Sequence, residues 1–322
     1  MEFPGLSAQE AQAAYRADPA LNQSGIKMFL RDPQEYYQRC ITRSLPQKPP
    51  TKAMQFGTDV EAFAFYERLP VVMIPQDVLQ RRVVSGKEQF ARAGAAWTEY
   101  ETRQKLLHGE DVKLVKQEEF QGEVAPILSA VNSLREHKMA ADLVFGNTAK
   151  HVRIKWTDDI TGLQCKCEID LVELDRGVIP DLKTAQDNSR SGFQRAVMNF
   201  GYYIQANFYR TALHELAEYH EDLPDTELAN ALRPLLASVR DGEQLLCCWI
   251  ALKNKPSYSV EVYPVAQDWY SIAETITRDA MFQIAEAHRT GRWQTKTHGS
   301  AAELPCPAWA WNAVEELSSG EE

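Results

Sequence analysis

The sequence has no run of about eighteen apolar residues, so nothing in it reads as a membrane-spanning helix. Its opening stretch, MEFPGLSAQEAQ, lacks the basic end and apolar core of a secretory leader, and a cytoplasmic address is expected. Cysteine is sparse and scattered: Cys40, Cys165, Cys167, Cys247, Cys248 and Cys306 form no CxxC pair for zinc and no spacing that reads as a disulfide framework. Reduced core thiols are the reading that remains. Internal repeats and low-complexity tracts are absent, and the histidines at 108, 137, 151, 214, 220, 288 and 298 show no metal-ligand spacing. Positive charge is also scarce. A net charge of −10 excludes indiscriminate coating of nucleic acid but leaves room for a local basic channel. Arg31, Arg81, Arg82, Lys150, Arg153, Lys155, Lys166, Arg190 and Arg195 could supply such a channel if the fold gathers them.

What is present is a 322-residue chain with 44% apolar residues, enough for a substantial core. No linker divides it, and one α/β domain over 1–322 is expected. Within it, 20–145 is mainly helical, 146–290 holds the catalytic sheet and helices, and 291–322 is a tail. Ser24 reads as an N-cap before GIKMFL, Asp32-Pro33 as a break, and EYYQRCI as resumed helix. A helix is expected over 54–68, a short strand at LPVVMIP, and helices over 86–108 and 117–145 divided at Gly109. HVRIKW, LQCKCEIDLVEL and GVIPDLKT then read as a three-strand meander separated by DDITG and DRG. A long helix is expected over 193–221, strands at LLCCWIAL and YSVEVYPV joined by KNKPS, and a last helix over 267–289.

The chemistry concentrates on the meander. With period-two alternation, Lys166, Glu168 and Asp170 share one strand face, and Cys165, Cys167, Ile169 and Leu171 the other. On the return strand Asp181 and Lys183 share a face with Leu182 opposite, and the DRG turn brings that pair beside Asp170. Two carboxylates and an ammonium at this separation suit phosphodiester cleavage: hard oxygen ligands hold Mg²⁺ or Mn²⁺, and the amine positions or deprotonates the attacking water. Downstream, Tyr202, Gln205 and Tyr209 lie three and four residues apart on one helical face, where an amide and a hydroxyl could orient the lysine or meet a phosphate. A lone D-x-K is common, and aromatic stripes usually pack; the ordered combination carries the weight.

CKCEIDLVELDRGVIPDLKTAQDN followed by YYIQANFY resembles the RecE-type (exonuclease VIII-like) phage exonuclease branch of the PD-(D/E)XK, RecB-like nucleases. LNQSGIKMFLRDPQEYY is similar to that branch's N-terminal helix motif, and GRWQTK with ELPCPAWAW to its C-terminal end, so the resemblance spans about residues 20–311. It implies a restriction-endonuclease-like core, a central mixed sheet flanked by helices, with helical additions at the N-terminal end. It further implies Asp170 and Asp181 as metal ligands, Lys183 as the water-activating residue, Gln205 and Tyr209 as the Q-x-x-x-Y element, and a ligating backbone carbonyl from Leu182. FGTDVEAF departs from the pattern: Glu61 stands where relatives carry the histidine of a G-x-x-x-H element. A carboxylate there suits a hard cation, with Asp59 the weaker candidate on that helix.

The activity so implied is 5′ to 3′ hydrolysis of linear double-stranded DNA from its ends, leaving 3′ overhangs for recombination with a single-strand annealing protein. A ring-shaped homo-oligomer and a bacterial or prophage setting go with it. Ser24, Lys27 and Arg31, at an early helix start where backbone N–H groups favour anions, are candidates for a 5′-phosphate receptor. No nucleotide cofactor is implied. An iron–sulfur cluster of the Cas4 or AddB kind needs one early and three closely spaced late cysteines, and only Cys306 lies near the C-terminus. A structure-specific or restriction-like endonuclease shares the same metal chemistry, and a non-catalytic DNA-binding relative of the fold is the alternative from a different class. Trp309 and Trp311 read as cover for a helix of the same chain or as an interface anchor.

Overall fold

The computed structural model describes residues 8–46, 48–66, 71–109 and 112–294. It opens on α1 (Ala8–Ala17), α2 (Gln23–Arg31) and α3 (Pro33–Tyr36), the last continuing into a wide π-turn over Tyr37–Ile41. Asp32 does break the helix as expected. Its Oδ1 accepts from the backbone N–H of Gln34 at 2.9 Å and Glu35 at 3.1 Å, so the residue that stops α2 caps α3. The cap of α2 itself is Asn22, whose Oδ1 accepts from Gly25 N at 2.8 Å. Ser24 is therefore inside the first turn and not the N-cap, because Asn22 reaches the N3 amide first.

Helix α4 (Lys52–Tyr66) follows, then β1 (Val71–Met73), β2 (Gln80–Val84), β3 (Lys87–Ala91), α5 (Ala95–His108) and β4 (Lys113–Val115). The helix expected from 86 begins only at Ala95. Ser85 and Gly86 both take positive φ, 51° and 77°, and this tight turn folds 80–91 into an antiparallel hairpin. β4, which the sequence reading did not identify, pairs in parallel with β1. The 117–145 helix is also broken, into α6 (Gln117–Glu119), a π-turn at Phe120–Val124, α7 (Ala125–Glu136) and α8 (Lys138–Phe145). His137, extended at φ −83° and ψ 104°, accepts from Ala140 N through Nδ1 and restarts the helix in a new direction.

The meander appears as β5 (Thr148–Thr157), β6 (Gln164–Glu173) and β7 (Val178–Ala185). The long helix after it is divided into α9 (Arg190–Phe200) and α10 (Tyr202–Glu218) by Gly201, which is left-handed at φ 61°. Then come α11 (Glu227–Arg240), to which the sequence reading assigned no element, β8 (Leu246–Lys253), β9 (Val260–Pro264) and α12 (Gln267–Thr290). Trp293, from the GRWQTK segment, stacks on Tyr37 at 5.2 Å; Cys306 and the tryptophans at 309 and 311 lie outside the described residues. No described helix is long and apolar enough to cross a membrane.

The central sheet is mixed, in the order β5-β6-β7-β8-β9, antiparallel except for the parallel β7–β8 pair joined by α9, α10 and α11. Its two faces support separate cores. One holds Cys165, Cys167, Ile169, Phe208 and Leu213, on the side of α2, α10 and α12. The other holds Val60, Val131, Leu134, Leu182 and Ile250, under α4, α7 and α8. All four strand thiols are buried, and no disulfide joins the described cysteines.

Two irregularities shape the middle of the sheet. β6 and β7 share a single residue pair, Glu173 with Val178, and then splay apart. Into the opened edge of β6 comes the segment before α2: Leu21 N–H donates to Gln164 O and Lys166 N–H to Leu21 O, both at 2.8 Å. The β5–β6 ladder also skips one step, His151 opposite Asp170, where His151 takes φ 50°. Alternation fails there, so Leu171 does not stay with the thiols as period two requires. It packs in the second core, and Val172 returns to the first.

Candidate active site

The splay between β6 and β7 is where the candidate residues meet. Asp181 and Lys183 come from the same face of β7, and Lys183 Nζ donates to Asp181 Oδ1 at 2.6 Å. Gln205 of α10 donates to the same oxygen at 3.3 Å and to the Tyr209 hydroxyl at 3.0 Å. That hydroxyl also accepts from Gln23 Nε2 at 3.3 Å, so α2 closes a chain of polar groups from Gln23 through Tyr209 and Gln205 to Asp181 and Lys183. Tyr202 adds its ring, 5.1 Å from Lys183 Nζ. Gln23 was not among the sequence candidates. Its partner lies 186 residues away, and nothing in local spacing signals it.

Glu61 reaches the cluster from the opposite layer, and the reason is Gly57. A Cβ at Gly57 would stand 3.2 Å from Thr184 Oγ1, so the bare backbone lets α4 lie close to β7. One turn later on the same face, Glu61 interacts electrostatically with Asp170, Lys183 and Asp181. Asp59 faces elsewhere: it pairs with Lys113 of β4 and accepts from Gln55.

The electrostatics are those of a carboxylate-rich cleft. Burial, then the charge of Asp170, push the Glu61 carboxyl up to about 8. Burial, then the charge of Asp181, push Asp170 up to about 6, against the pull of Lys183. Burial works to lower Lys183, but Asp181, Asp170 and the hydrogen bond to Asp181 hold it above the usual lysine range. Lys27 lies near the same cluster. Burial and then Lys183 push it down to about 8, with Asp181 opposing. Gly201 permits this placement, since a Cβ there would come within 2.9 Å of Lys27 Cδ.

One atom decides whether these residues fit a cation. Asp181 Oδ2 is buried without a hydrogen-bond partner, while Oδ1 accepts from both Lys183 and Gln205. A buried carboxylate oxygen left bare is costly. With the carboxylates of Asp170 and Glu61 within electrostatic reach, it offers a hard divalent cation an oxygen ligand of the kind it prefers. Leu182 buries its side chain in the second core, which leaves its backbone between Asp181 and Lys183.

Asp170 has a second set of neighbours. His151, Glu168 and Asp170 bring ligand atoms within 4.8 Å of one another. Sequence spacing had set aside every histidine, and His151 escaped because its companions sit on the adjacent strand. Glu168 is already engaged, by Arg153 at 2.7 Å and His151 at 3.0 Å, and His151 stacks on Tyr66.

The remaining candidates are dispersed. Of the nine cations considered for a channel, Arg81 pairs with Glu88, Arg153 with Glu168, Lys155 with Asp18 and Arg195 with Asp187; Lys150 donates to Phe65 O and Lys166 to backbone carbonyls. Six of the nine are thus committed to local contacts. Of the three proposed phosphate contacts, Lys27 joins the cluster, Arg31 acts on Lys27 from the last turn of α2, and Ser24 is exposed.

No curated protein matches this sequence. Among solved structures, a chain from Eubacterium rectale provisionally described as an exonuclease superposes with a TM-score of 0.53 at 12% identity, covering 97% of this chain and 99% of that one. At that identity the likeness speaks for the fold alone. The sequence itself matches, over residues 23–224, the family described as PDDEXK-like domain of unknown function (DUF3799), a span that includes α2, α4, the splayed strands and α10. Its mixed sheet flanked by helices agrees, and the chain belongs to this PDDEXK-like family.

Proposed function

We propose that this protein is a metal-dependent DNA nuclease acting by phosphodiester hydrolysis. The observation that carries the reading is the bare, buried Asp181 Oδ2 in a cleft shared by Asp170, Glu61 and Lys183. Asp170, Asp181 and Glu61, with the Leu182 carbonyl, would hold Mg²⁺ or Mn²⁺, which when bound supplies Lewis-acid stabilisation of charge on the phosphate. The chain's own residues do the rest. Lys183, charged and fixed on Asp181 Oδ1, orients the attacking water and neutralises developing negative charge. Gln205, bound to Asp181 and Tyr209, fixes the carboxylate that carries the lysine. Tyr209, whose ionisation burial holds well above the ordinary tyrosine range, stays neutral and anchors that amide.

The finer reading is an exonuclease on linear double-stranded DNA, running 5′ to 3′ and leaving 3′ overhangs for a single-strand annealing protein, as a ring-shaped homo-oligomer and a single nuclease domain. Its support is the resemblance of the ordered motifs to RecE-type enzymes. Lys27 with Arg31 is the receptor for the 5′ phosphate in this scheme; the exposed Ser24 contributes only from the helix start. Digestion of linear and covalently closed duplex, end-labelled at 5′ or 3′, with metal and with chelator, tests both levels. Linear DNA should be degraded from its 5′ ends only with metal, and closed circles should survive. Cleaved circles favour an endonuclease, and full activity in Asp181→Ala removes the catalytic assignment.

A further inference from the structure

A second feature lies across α2 from the cleft. Gln23 and Lys27, four residues apart, face the cleft, while Asn22 and Gly25, on another face of the same helix, line a separate cavity of about 370 Å³. Its wall carries Arg16, Arg39, Arg43 and Lys166, against a single carboxylate, Asp18, among the described lining residues.

The few acids nearby are already engaged. Asp18 is paired with Lys155 at 2.8 Å, and Glu35 holds Arg39 at 2.8 Å together with Lys48. Arg43 points a guanidinium N–H at Ala17 O, 2.7 Å away, which fixes its direction without neutralising it. Arg16 has no ion pair among the described residues. Lys166 is the informative member. Its side chain is buried at 5% relative exposure, with Nζ donating to the carbonyls of Tyr15 and of Asp18, the latter at 2.8 Å. The same ammonium lies 4.4 Å from the centroid of the Tyr15 ring, so neutral groups hold it and no carboxylate hydrogen-bonds to it among the described residues. Burial lowers its pKa, with Asp18 opposing and Lys155 and Arg43 adding to the effect.

We propose that this cavity is an anion site that takes a phosphate group, held by Arg16 and Arg43 with the charge of Lys166 in the wall beside them. Planar guanidinium groups and an ammonium lining one half-open cavity match phosphate in charge, and the guanidinium fork suits its oxygens. The site is not the cleft's own. Lys166 and Asp170 are four residues apart on β6, about 13 Å along the strand, so a phosphate in the cavity is not the one cut in the cleft. Two carriers share this chemistry: a backbone phosphodiester of bound DNA and a free nucleotide. That the carrier is nucleic acid in origin rests on the nuclease reading; the anion site does not.

The test uses the full chain in chelator, so that no cleavage occurs, with two probes: thymidine 5′-monophosphate and a short blunt duplex titrated over a range of salt. Arg16→Ala, on an exposed side chain, and Lys166→Met are compared with wild type, and circular dichroism confirms that each is folded. Loss of a charge-assisted contact should weaken nucleotide binding by about tenfold. If the ligand is backbone phosphate, the slope of log K against log salt should fall by about 1 for each cation removed. A loss confined to the nucleotide assigns a free-nucleotide site, and a loss confined to the duplex slope assigns a backbone contact. Wild-type behaviour with both probes in folded Arg16→Ala overturns the proposal. Failure of the nuclease reading registers separately, as no metal-dependent cleavage of either linear or closed duplex by the wild-type chain.

Discussion

The carboxylate-rich cleft should make the metal-free protein more stable in mild acid than at pH 8. Glu61 keeps its proton up to about 8 in the folded chain, whereas its ordinary value is 4.5; Asp170 does so up to about 6 against 3.8. Both groups bind protons more tightly folded than unfolded. Their contribution is therefore present at low pH and is lost as pH rises from the unfolded values through about 6 for Asp170 and about 8 for Glu61. Each unit of difference corresponds to about 1.4 kcal/mol, which makes the total for Glu61 on the order of a few kcal/mol. On the proposed reading a divalent cation held there would replace the proton. At about 100 times its dissociation constant it should stabilise the fold by about 2.7 kcal/mol. At about 1.5 °C per kcal/mol, from about 2.1 cal/mol/K of unfolding entropy per residue over 322 residues, that is a rise in Tm of about 4 °C. Differential scanning calorimetry from pH 5 to 8, with chelator and with Mg²⁺ or Mn²⁺, reads both effects. Glu61→Gln should flatten the metal-free pH dependence and shrink the metal-induced rise. A wild-type Tm that responds to neither pH nor metal would refute the reasoning.

Tyr209→Phe should cost about 1–3 kcal/mol, because it strips the acceptor from the Gln205 and Gln23 amides, and chemical denaturation would show it as a lower midpoint with unchanged m. Gly201→Ala should cost about 1–2 kcal/mol from its left-handed φ alone, and should also lower activity by displacing Lys27; an unchanged Tm and rate would argue against both. Asn22→Ala should destabilise by about 1 kcal/mol through loss of the α2 cap, whereas Ser24→Ala should leave Tm within error. Arg31→Ala should erase any preference for 5′-phosphorylated over 5′-hydroxyl ends in an end-resected assay, and identical preference in both proteins would remove Arg31 from that role.

Much of the sheet was legible because it depends on local rules. Alternation with turn residues at DDITG and DRG located β5, β6 and β7, and the Asp181 and Lys183 pair follows from period two alone. Local rules failed where a left-handed residue intervened. Ser85 and Gly86 turned an apparent helix start into a hairpin, and Gly201 cut one long helix in two. Helix α2 was found but mis-capped, because Asn22 and Ser24 are both good capping residues and only the backbone shows which amide is reached.

By itself the sequence located the five strands of the central sheet and the burial of their four thiols, and it put forward Asp170, Asp181, Lys183, Gln205 and Tyr209 as one chemical set. These rest on near-neighbour periodicity and on a resemblance carried by ordered motifs. Only the tertiary structure decided how the set is completed. The splay of β6 from β7 opens the cleft, the close approach of Gly57 to Thr184 brings Glu61 in from α4, and Leu21 pairing on the freed edge of β6 carries Gln23 and Lys27 to the cleft. The last two join residues more than a hundred positions apart, and such contacts depend on how layers pack, which no local pattern of side chains encodes.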